Sequence, residues 1–598
     1  MGGSAQIDRT PVQRKEILAS LSPWKTLIRT SLICGLLASI LFALNLGRIE
    51  PLPLNLSPPQ FDAARAHHTM FSLAKKFPNR VTWGENRKKS AIWLKDEFRK
   101  LGYTPQSLQF SEVIAGTQYN QLENIYVEKK GSRHPNEIIV AMAHYDITDT
   151  TIEGAMDDGS GVGVVLELAR QFSRVDSDRT MIFLLTDSEE FGAFWGARAF
   201  ARSFEKSDQI IAALNFDFIS PGKLTRILTL CDGLKTGYTP LWFREIALNS
   251  IRSLGQVEAK DMDGIEEFVE RAMQIPPADH GAFLEAGIPA LNWVGQPANF
   301  SYVMAHYHHT PADVAEALEP RSFQIVGQAA ERVIRSIDQL PKIPSDWRNS
   351  SYWKISEHYY LPGWTVTLLH ILAFLPFLAF STVKFAQSAR VRSKQRISAV
   401  VQSELKQIGI LFTSMLSGYG LMLVLPALHL ITQYETFPAT QKSLILYQPN
   451  LWVMFSVVSA VALVYGTFKH FTSTRIDAAF YPRIRHTVLT AFLALIIFLA
   501  FLKNSYLGTL LLLPPAYLWM AIDSKHNHEG RAVNSLLIFG GAVTFIAIAV
   551  ILNTVFHVGV FYWYLFLSAT YGLISPYAVL LFLMSITVMF RLFRSFVL

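Results

Sequence analysis

Side chains of the metal-binding type are concentrated in one stretch of this 598-residue chain, residues 143–160. His144 and Asp146 stand one residue apart, directly after an apolar run that predicts a strand. A second pair of carboxylates, Asp157 and Asp158, follows in a turn bounded by glycines. Imidazole and carboxylate groups that follow a strand favour chemistry at the carboxyl end of that strand.

Three further groups of polar residues could join that stretch. Glu189 and Glu190 end an apolar run, and Asp217 lies inside another, where a carboxylate is costly unless it is paired or bound to metal. The remaining candidates come later, at Asp279, His280, Tyr307, His308, His309 and Asp313. Each group alone is a weak signal, because an isolated Glu-Glu pair is usually a solvated loop. Together they place histidines and carboxylates at the ends of predicted strands.

The elements that must position these residues alternate between strand and helix. Apolar runs predict strands at 138–143, 181–186 and 211–218. Helical periodicity predicts helices at 61–77, 86–101, 161–172, 196–204 and 323–340. Gly102 is expected to cap the second of these helices. The alternation favours a doubly wound α/β sheet in a domain over 61–345.

The composition points to a membrane protein. Half of the residues are hydrophobic, 17% are charged and the mean hydropathy is +0.24, values too apolar for a soluble chain of this size. Two cysteines, Cys34 and Cys231, exclude a disulfide framework and a zinc site built on cysteine. The net charge of +7 is compatible with a nucleic-acid partner. The positions of the basic residues along the chain decide whether that interpretation is needed.

An apolar segment at 30–46 predicts a membrane anchor behind a basic tail, residues 1–29. The long basic lead-in and the missing small-residue cleavage site favour an anchor over a cleaved signal peptide. A proline-rich linker at 47–60 follows. After the polar domain, residues 360–598 predict a bundle of about seven spans, near 364–383, 408–431, 451–468, 487–502, 506–522, 536–556 and 571–590.

The charged residues between the predicted spans indicate the orientation. Lysines and arginines cluster on every second connection, which is the pattern of loops that stay in the cytoplasm. The polar domain is then expected outside the cytoplasm, and the net charge needs no nucleic acid. Residues 558–570 leave the number of spans open. No Asp, Glu, Lys or Arg is expected deep inside the spans, whereas transport paths and proton relays usually need such groups. The bundle is therefore interpreted as a membrane anchor, and a role in handling peptides stays open.

The order of the motifs resembles the co-catalytic zinc aminopeptidase family, which includes bacterial leucyl aminopeptidases, glutamate carboxypeptidase II and the transferrin receptor. The resemblance covers residues 61–340, including Asn79-Arg80 and Glu123-Asn124-Ile125. With an anchor before and spans after, the layout looks like the endoplasmic-reticulum metallopeptidase and vacuolar membrane protease branch. The resemblance implies a mixed-sheet domain of phosphorylase/hydrolase-like fold, followed by an all-α multi-pass bundle.

The resemblance also implies a site for two zinc ions, with cobalt or manganese as alternative metals. Carried over by motif, His144 and Asp217 would hold one ion, Glu190 and His309 would hold the other, and Asp157 would bridge both. Zinc accepts imidazole and carboxylate ligands and leaves a position for water when it is catalytic. A shared carboxylate holds two such ions ~3.5–4 Å apart.

Two catalytic roles follow from the same motifs. Glu189, next to a ligand but not itself one, would be the general base. Asp146 would accept a hydrogen bond from the other ring nitrogen of His144 and fix its tautomer. The resemblance further implies a cis peptide bond between Asp157 and Asp158.

The last motif departs from the family pattern. In the family an aromatic residue, often a tyrosine that helps to stabilise the oxyanion, usually precedes the final metal histidine. Here His308 stands in that place and Tyr307 lies one residue earlier. His309 is preferred to His308 as the ligand because its spacing to Asp313 fits, although the choice between the two stays open, as does the oxyanion donor. The candidate substrate-binding residues are Asp279, His280, Tyr307 and His308.

The leading hypothesis is therefore a membrane-anchored di-zinc exopeptidase, an aminopeptidase whose partners are a peptide substrate and membrane lipid. Its site would be periplasmic or extracellular in a bacterium and lumenal in a eukaryote. One alternative is a glutaminyl-peptide cyclase, which uses a single zinc ion on the same fold. Another is a non-catalytic membrane scaffold with the peptidase fold. The substrate side chain and the oligomeric state stay open.

Overall fold

A computed structural model describes most of the chain, in the ranges 22–114, 117–190, 194–388, 394–428, 430–431, 450–471, 482–522, 528–556, 561–570 and 572–597. Most of the predicted N-terminal tail, residues 1–21, lies outside the described residues. The described residues comprise an α/β domain and a set of long apolar helices.

The α/β domain is built on an eight-stranded mixed sheet with the order β2-β3-β5-β4-β6-β9-β7-β8. The eight strands are β2 (Gln106–Ile114), β3 (Thr117–Lys129), β4 (His134–His144), β5 (Arg179–Thr186), β6 (Ile210–Ile219), β7 (Leu224–Leu230), β8 (Glu258–Asp261) and β9 (Ala290–Pro297). The four central strands, β5, β4, β6 and β9, run parallel to one another. Their carboxyl ends therefore meet at one edge of the sheet.

Helices cover both faces of that sheet, as the predicted doubly wound arrangement requires. The domain's helices of six or more residues are α2 (Ala63–Lys76), α3 (Glu85–Lys100), α4 (Ser160–Phe172), α5 (Trp195–Ser203), α6 (Leu241–Arg252), α7 (Ile265–Met273), α8 (His280–Glu285), α9 (Phe300–His306) and α10 (Pro320–Asp338). Alternate residues of β4 enter opposite cores, Ala141 and Ala143 on one face and Val140 and Met142 on the other. Burial on both faces explains the uninterrupted apolar runs that predicted these strands.

All three predicted strands and all five predicted helices are confirmed. Gly102 follows α3 with a φ of 89°, the left-handed conformation of a helix C-cap. Strands β7, β8 and β9 were not predicted. Polar residues such as Arg226, Lys260 and Asn292 interrupt the apolar pattern of these strands, and β7 and β8 are the last two strands on one side of the sheet.

Nine further helices of eight or more residues lie within the described ranges, one before the α/β domain and eight after it. They are α1 (Pro23–Asn45), α11 (Gly363–Ser388), α12 (Lys394–Val424), α13 (Leu451–Phe471), α14 (Pro482–Lys503), α15 (Leu513–Met520), α16 (His528–Phe556), α17 (Phe561–Thr570) and α18 (Pro576–Phe596). Six helices within the described ranges are long and apolar enough to cross a membrane: α1, α11, α12, α13, α14 and α18. The span predicted at 506–522 is instead divided by a π-helical turn, Gly508–Leu512, just before the prolines of α15.

A charged cluster is buried among the bundle helices, formed by residues that stand just outside the predicted spans. Glu404 of α12 is fully buried, with Arg485 Nε 2.8 Å from one carboxylate oxygen and Arg591 Nη2 2.7 Å from the other. The three residues come from α12, α14 and α18, which the sequence places far apart. Charged groups in membrane segments usually pair in this way. The cluster therefore ties three helices together.

Glu404→Ala is expected to lower the melting temperature of the protein in detergent, because it leaves two arginines without their buried partner. Breaking a buried pair costs about 3–5 kcal/mol. The matched control is Glu357→Ala, which removes an exposed carboxylate paired with Arg252 and should cost less than about 1 kcal/mol. Equal melting temperatures for the two variants would contradict the role assigned to Glu404.

A small sheet and a buried ionic network join the α/β domain to the bundle. The sheet consists of β1 (Gly47–Arg48), β11 (Tyr359–Pro362) and β10 (Tyr352–Ser356), directly after α1 and before α11. Lys354 of β10 is fully buried, with its Nζ 2.6 Å from Glu245 and 2.8 Å from Asp261. On the bundle side, Asn504 Nδ2 donates to the carbonyl of Arg271 at 2.8 Å. Because Arg271 belongs to α7, the bundle directly supports that helix.

Candidate metal centre

The candidate centre lies where the carboxyl ends of β4, β5 and β6 meet, and Asp157 is its hub. Asp157 Oδ1 lies 3.1 Å from His144 Nε2. The same His144 nitrogen lies 3.9 Å from Asp217 Oδ1 and 4.0 Å from Glu189 Oε2. All four side chains are buried. Residues brought from three strand ends thus face one another across a few ångströms.

The other oxygen of Asp157 faces the adjacent histidines. Asp157 Oδ2 lies 3.2 Å from His309 Nε2 and 3.3 Å from His308 Nε2, and the two rings stack with centroids 3.7 Å apart. His309 Nε2 also lies 3.0 Å from Glu190 Oε2. That contact supports His309 as the partner of Glu190. His308, the alternative to His309 in the sequence, also lies close enough to Asp157 to be an imidazole ligand there.

Asp146 and Asp158 hold the backbone around the centre. Asp146 accepts hydrogen bonds from the backbone N–H groups of Glu189 at 3.1 Å and Glu190 at 3.4 Å. Its Oδ1 lies 3.5 Å from His144 Nδ1, on the side of the ring that the sequence analysis predicted. Asp158 accepts from the N–H of Gly161 at 2.8 Å and from the N–H of His144 at 3.3 Å. These two carboxylates therefore position ligand-bearing segments.

A second set of buried groups fixes the turn that carries Asp157. Asp313 accepts from the N–H groups of Met156 at 2.6 Å and Asp157 at 3.2 Å. Arg80, fully buried, donates to the carbonyl of Tyr145 at 2.8 Å and to that of Gly154 at 2.6 Å. Burial lowers the pKa of Arg80 to about 10, against the neighbouring carboxylates that raise it, so the side chain is cationic at neutral pH. Burial raises the pKa of Asp313 to about 7.

Backbone conformation is unusual at three points of the centre. Ser188, Phe218 and His309 have φ values of 59°, 45° and 54°, in the left-handed region that non-glycine residues rarely adopt. Each is a candidate ligand or stands beside a candidate ligand or base. Such conformations persist where surrounding contacts hold them, and they cluster at functional sites. The peptide bond between Asp157 and Asp158 is cis, as the resemblance implied.

Gly161 is packed so tightly that a larger residue would disturb the centre. A Cβ on Gly161 would lie 2.1 Å from the carbonyl oxygen of Phe216 and 2.4 Å from Asp158 Oδ2. Both atoms belong to segments that position candidate ligands. The close approach explains why a glycine stands at the second position of helix α4.

Gly161→Ala is expected to lower both the metal content and the stability of the protein, since overpacking of this kind costs about 1–3 kcal/mol. Metal content by mass spectrometry and melting temperature check it. Gly466→Ala is the control, because a Cβ there would meet no atom within 4 Å. A fully metallated Gly161→Ala protein of unchanged stability would contradict this packing argument.

The donor set fits divalent cations. Four buried carboxylates, those of Asp157, Glu189, Glu190 and Asp217, crowd one volume, and buried charges are costly without a compensating cation. Burial raises the pKa of Glu189 well above its usual value, and although His144 opposes this, Asp217 and Glu190 raise it further. Glu190 Oε1 is buried without a hydrogen-bond partner among the described residues. Imidazole nitrogen and carboxylate oxygen are both zinc donors.

A cleft of about 340 Å³ opens beside the centre. Five candidate ligands or bases line it together with His308, namely Asp157, Glu189, Glu190, Asp217 and His309. That volume is at the lower end of small-ligand pockets. The cleft therefore brings a bound molecule directly to the ligand cluster.

Three of the four predicted substrate-binding residues are not among those that line the cleft. Asp279 is fully buried and accepts a hydrogen bond from Thr186 Oγ1, and burial raises its pKa to about 6. His280 is fully buried in α8, 3.9 Å from Asp232. The ring of Tyr307 packs edge-on against His306 at 4.7 Å. His308 alone of the four lines the cleft.

The sequence analysis missed Asn292 and the rest of the cleft wall formed by β7, β8 and β9. Asn292 accepts a hydrogen bond from the backbone N–H of Asp217 at 3.0 Å and so supports a candidate ligand. A polar residue inside an apolar run was the signal that singled out Asp217. The same signal is present at Asn292, in the run 290–294.

The comparison with known protein families matches residues 124–334 to the model of peptidase family M28. Aminopeptidase YwaD of Bacillus subtilis is 26% identical over 234 residues, which are 38% of this chain and 47% of that protein. A vacuolar membrane protease of Candida glabrata is 30% identical over 118 residues, 19% of this chain and 12% of that protein. The chain thus spans about half the length, or less, of the first curated relatives it matches.

Among solved structures, the glutaminyl cyclase of Porphyromonas gingivalis aligns with 46% of this chain and 99% of that one. The TM-score is 0.39 and the sequence identity is 19%. The region that matches the family model, residues 124–334, contains β4, β5, β6 and β9. It also contains every candidate ligand and Glu189. Residues 124–334 are therefore a domain of peptidase family M28.

Proposed function

We propose that this chain is a membrane-bound zinc exopeptidase, an aminopeptidase that removes N-terminal residues from peptides outside the cytoplasm. The observation that carries the proposal is the geometry of Asp157, whose two oxygens face different imidazoles at the head of a cleft. The family match and the similarity to an aminopeptidase support the choice of reaction.

Two zinc ions would share Asp157. His144 and Asp217 would complete one ion's protein ligands, and Glu190 and His309 would complete the other's. When bound, the pair of ions would polarise the scissile carbonyl and make water more acidic. His308 also lies beside Asp157 and lines the cleft, so it would be in position to bind either a zinc ion or the substrate.

Glu189 would move the proton. Its carboxylate lies 4.0 Å from His144 Nε2, beside the proposed ligands. Because Glu189 also lines the cleft, this carboxylate can face a bound substrate. It would accept a proton from the attacking water and deliver it to the nitrogen of the departing amine. Asp146 holds the Glu189 backbone, and burial excludes bulk water from the carboxylate.

The orientation of the domain rests on the basic residues. The α/β domain joins the end of α1 at Asn45 and the start of α11 at Gly363. Lys384 and the basic residues that follow it in sequence come after the apolar part of α11, on the opposite end of the helix. Basic residues stay in the cytoplasm, so the peptidase domain would lie outside it.

Intact cells test this orientation. A cysteine introduced at the exposed Lys130, as Lys130→Cys, is expected to react with a membrane-impermeant maleimide before the cells are opened. The parent chain is the control, because its two cysteines are buried. Labelling only after permeabilisation would place the domain in the cytoplasm.

The activity is tested on the full-length protein in detergent. Aminoacyl-p-nitroanilides and unblocked peptides should be hydrolysed, N-acetylated peptides should not, and a chelator should abolish the reaction until zinc is restored. Metal analysis should count two ions per chain. One ion with cyclisation of N-terminal glutamine and no hydrolysis would establish the cyclase instead. A chain that binds no metal and cleaves nothing would be a scaffold.

A further inference from the structure

The cleft has a floor of six residues from two neighbouring strands. Strands β7 and β9 are antiparallel and pair Leu230 with Asn292, Leu228 with Val294 and Arg226 with Gln296. Alternate residues of a strand share a face, and all six line the cleft. We refer to Arg226, Leu228, Leu230, Asn292, Val294 and Gln296 as the floor.

The floor has a direction. Asn292 contacts the backbone of the candidate ligand Asp217, so its row lies beside the metal centre. Gln296 and Arg226 form the row at the other end, four residues along β9 from Asn292. At about 3.4 Å per residue, the two ends are ~13 Å apart. The row between them, Leu228 and Val294, is apolar.

Arg226 ends the floor with a charge that no described carboxylate neutralises. Its Nε donates to Gln296 Oε1 at 2.6 Å, and no acidic side chain within the described ranges lies within 4.0 Å of its guanidinium. Glu258, its register partner on β8, is exposed and forms no ion pair with it. The cleft's other cation, Lys260, is paired with Glu266 at 2.8 Å.

The hydrogen bond to Gln296 leaves the two terminal guanidinium nitrogens for a ligand. Such a planar pair of donors matches the two oxygens of a carboxylate. Phosphate would fit the same donors, but the apolar row that precedes Arg226 suits peptide side chains.

We propose that Arg226 binds a carboxylate of the peptide substrate, an assignment that rests on the proposed peptidase function. An extended peptide advances about 3.3–3.6 Å per residue. The carboxylate would therefore lie about four residues beyond the scissile bond. It is the C-terminal carboxylate of a short peptide or an acidic side chain at that position. Arg226 would thus select substrates by the distance between their N-terminus and a negative charge.

Matched peptides separate the two sources of the carboxylate. One pentapeptide with neutral side chains is used with a free C-terminus and as the C-terminal amide. A third peptide is the amide with glutamate as its last residue. Each is given to the full-length protein and to the Arg226→Gln, Arg226→Lys and Lys223→Gln variants, the last being an exposed control near β7.

Arg226→Gln is expected to raise KM for the free-acid peptide about 10- to 100-fold, the loss of one charged hydrogen-bonded contact. Its KM for the neutral amide and its kcat on an aminoacyl-p-nitroanilide should stay unchanged, which a misfolded protein could not show. Arg226→Lys should recover part of the loss, and Lys223→Gln should match the parent. If the KM of the parent protein for the glutamate-bearing amide lies as far below that for the neutral amide as the KM for the free acid does, the site also binds acidic side chains.

Equal KM values for the acid and the amide in the parent protein, or an equal loss on both in Arg226→Gln, would overturn this assignment while peptide hydrolysis itself stands. No hydrolysis of any peptide by the metal-loaded parent would instead overturn the proposed function, and this assignment with it. A rise in KM for the free acid alone supports both.

Discussion

Replacing Glu189 by glutamine is expected to lower kcat for peptide hydrolysis by about 10²–10⁴-fold, the range attributed to a positioned general base. Glutamine keeps the size of the side chain and its contacts but cannot accept and return a proton. Because Glu189 is not among the proposed ligands, the variant should still bind its full complement of zinc. Steady-state kinetics together with metal analysis measure both quantities.

The control for this variant is Glu316→Gln, which changes an exposed carboxylate paired with Lys75. It should retain the parent kcat. If Glu189→Gln kept more than a tenth of the parent kcat, another group would have to move the proton. If it lost zinc, Glu189 would be a ligand and its assignment as base would be wrong.

Asp157→Ala is expected to have the largest effect on metal content, because it removes the only carboxylate of the described centre whose oxygens face both His144 and His309. Neither proposed ion would keep its shared ligand, so the zinc content should fall well below two per chain. Hydrolysis should fall at least as far as in Glu189→Gln. Metal analysis after dialysis against a weak chelator is the direct measurement.

Asp96→Ala serves as the comparison, since Asp96 is exposed and pairs with Arg99 on the surface. If the Asp157→Ala protein retained two zinc ions, the bridging role of Asp157 would be wrong. Asp217→Ala and Glu190→Ala sharpen the result. Each should lower the affinity for one ion, whereas Asp157→Ala should weaken both.

The strands of the α/β domain were predictable because they are buried on both faces. Their apolar runs leave little choice of structure, and β4, β5 and β6 were predicted close to their observed bounds. Strands β7 and β8 are short and only partly buried, so their apolar pattern was weak. For this reason, the strands that form the wall of the cleft were not predicted from the sequence.

The charged groups inside the bundle show a second limit. Glu404, Arg485 and Arg591 each stand just outside the apolar run from which a span was predicted, so no pairing was inferred for them. Only the packing of α12 against α14 and α18 brings Arg485 and Arg591 to its carboxylate. A pair separated by 187 residues leaves no local signature.

The sequence by itself singled out the candidate ligands, through histidines and carboxylates that follow apolar runs and through an order of motifs that resembles the zinc aminopeptidases. It also determined the alternation of strand and helix and the presence of membrane-length segments. The tertiary structure decided which ligands share a partner, that both His308 and His309 reach Asp157, and that Arg226 faces the cleft without a described counter-ion. These relations depend on distances between elements remote in the chain, and only folding sets such distances.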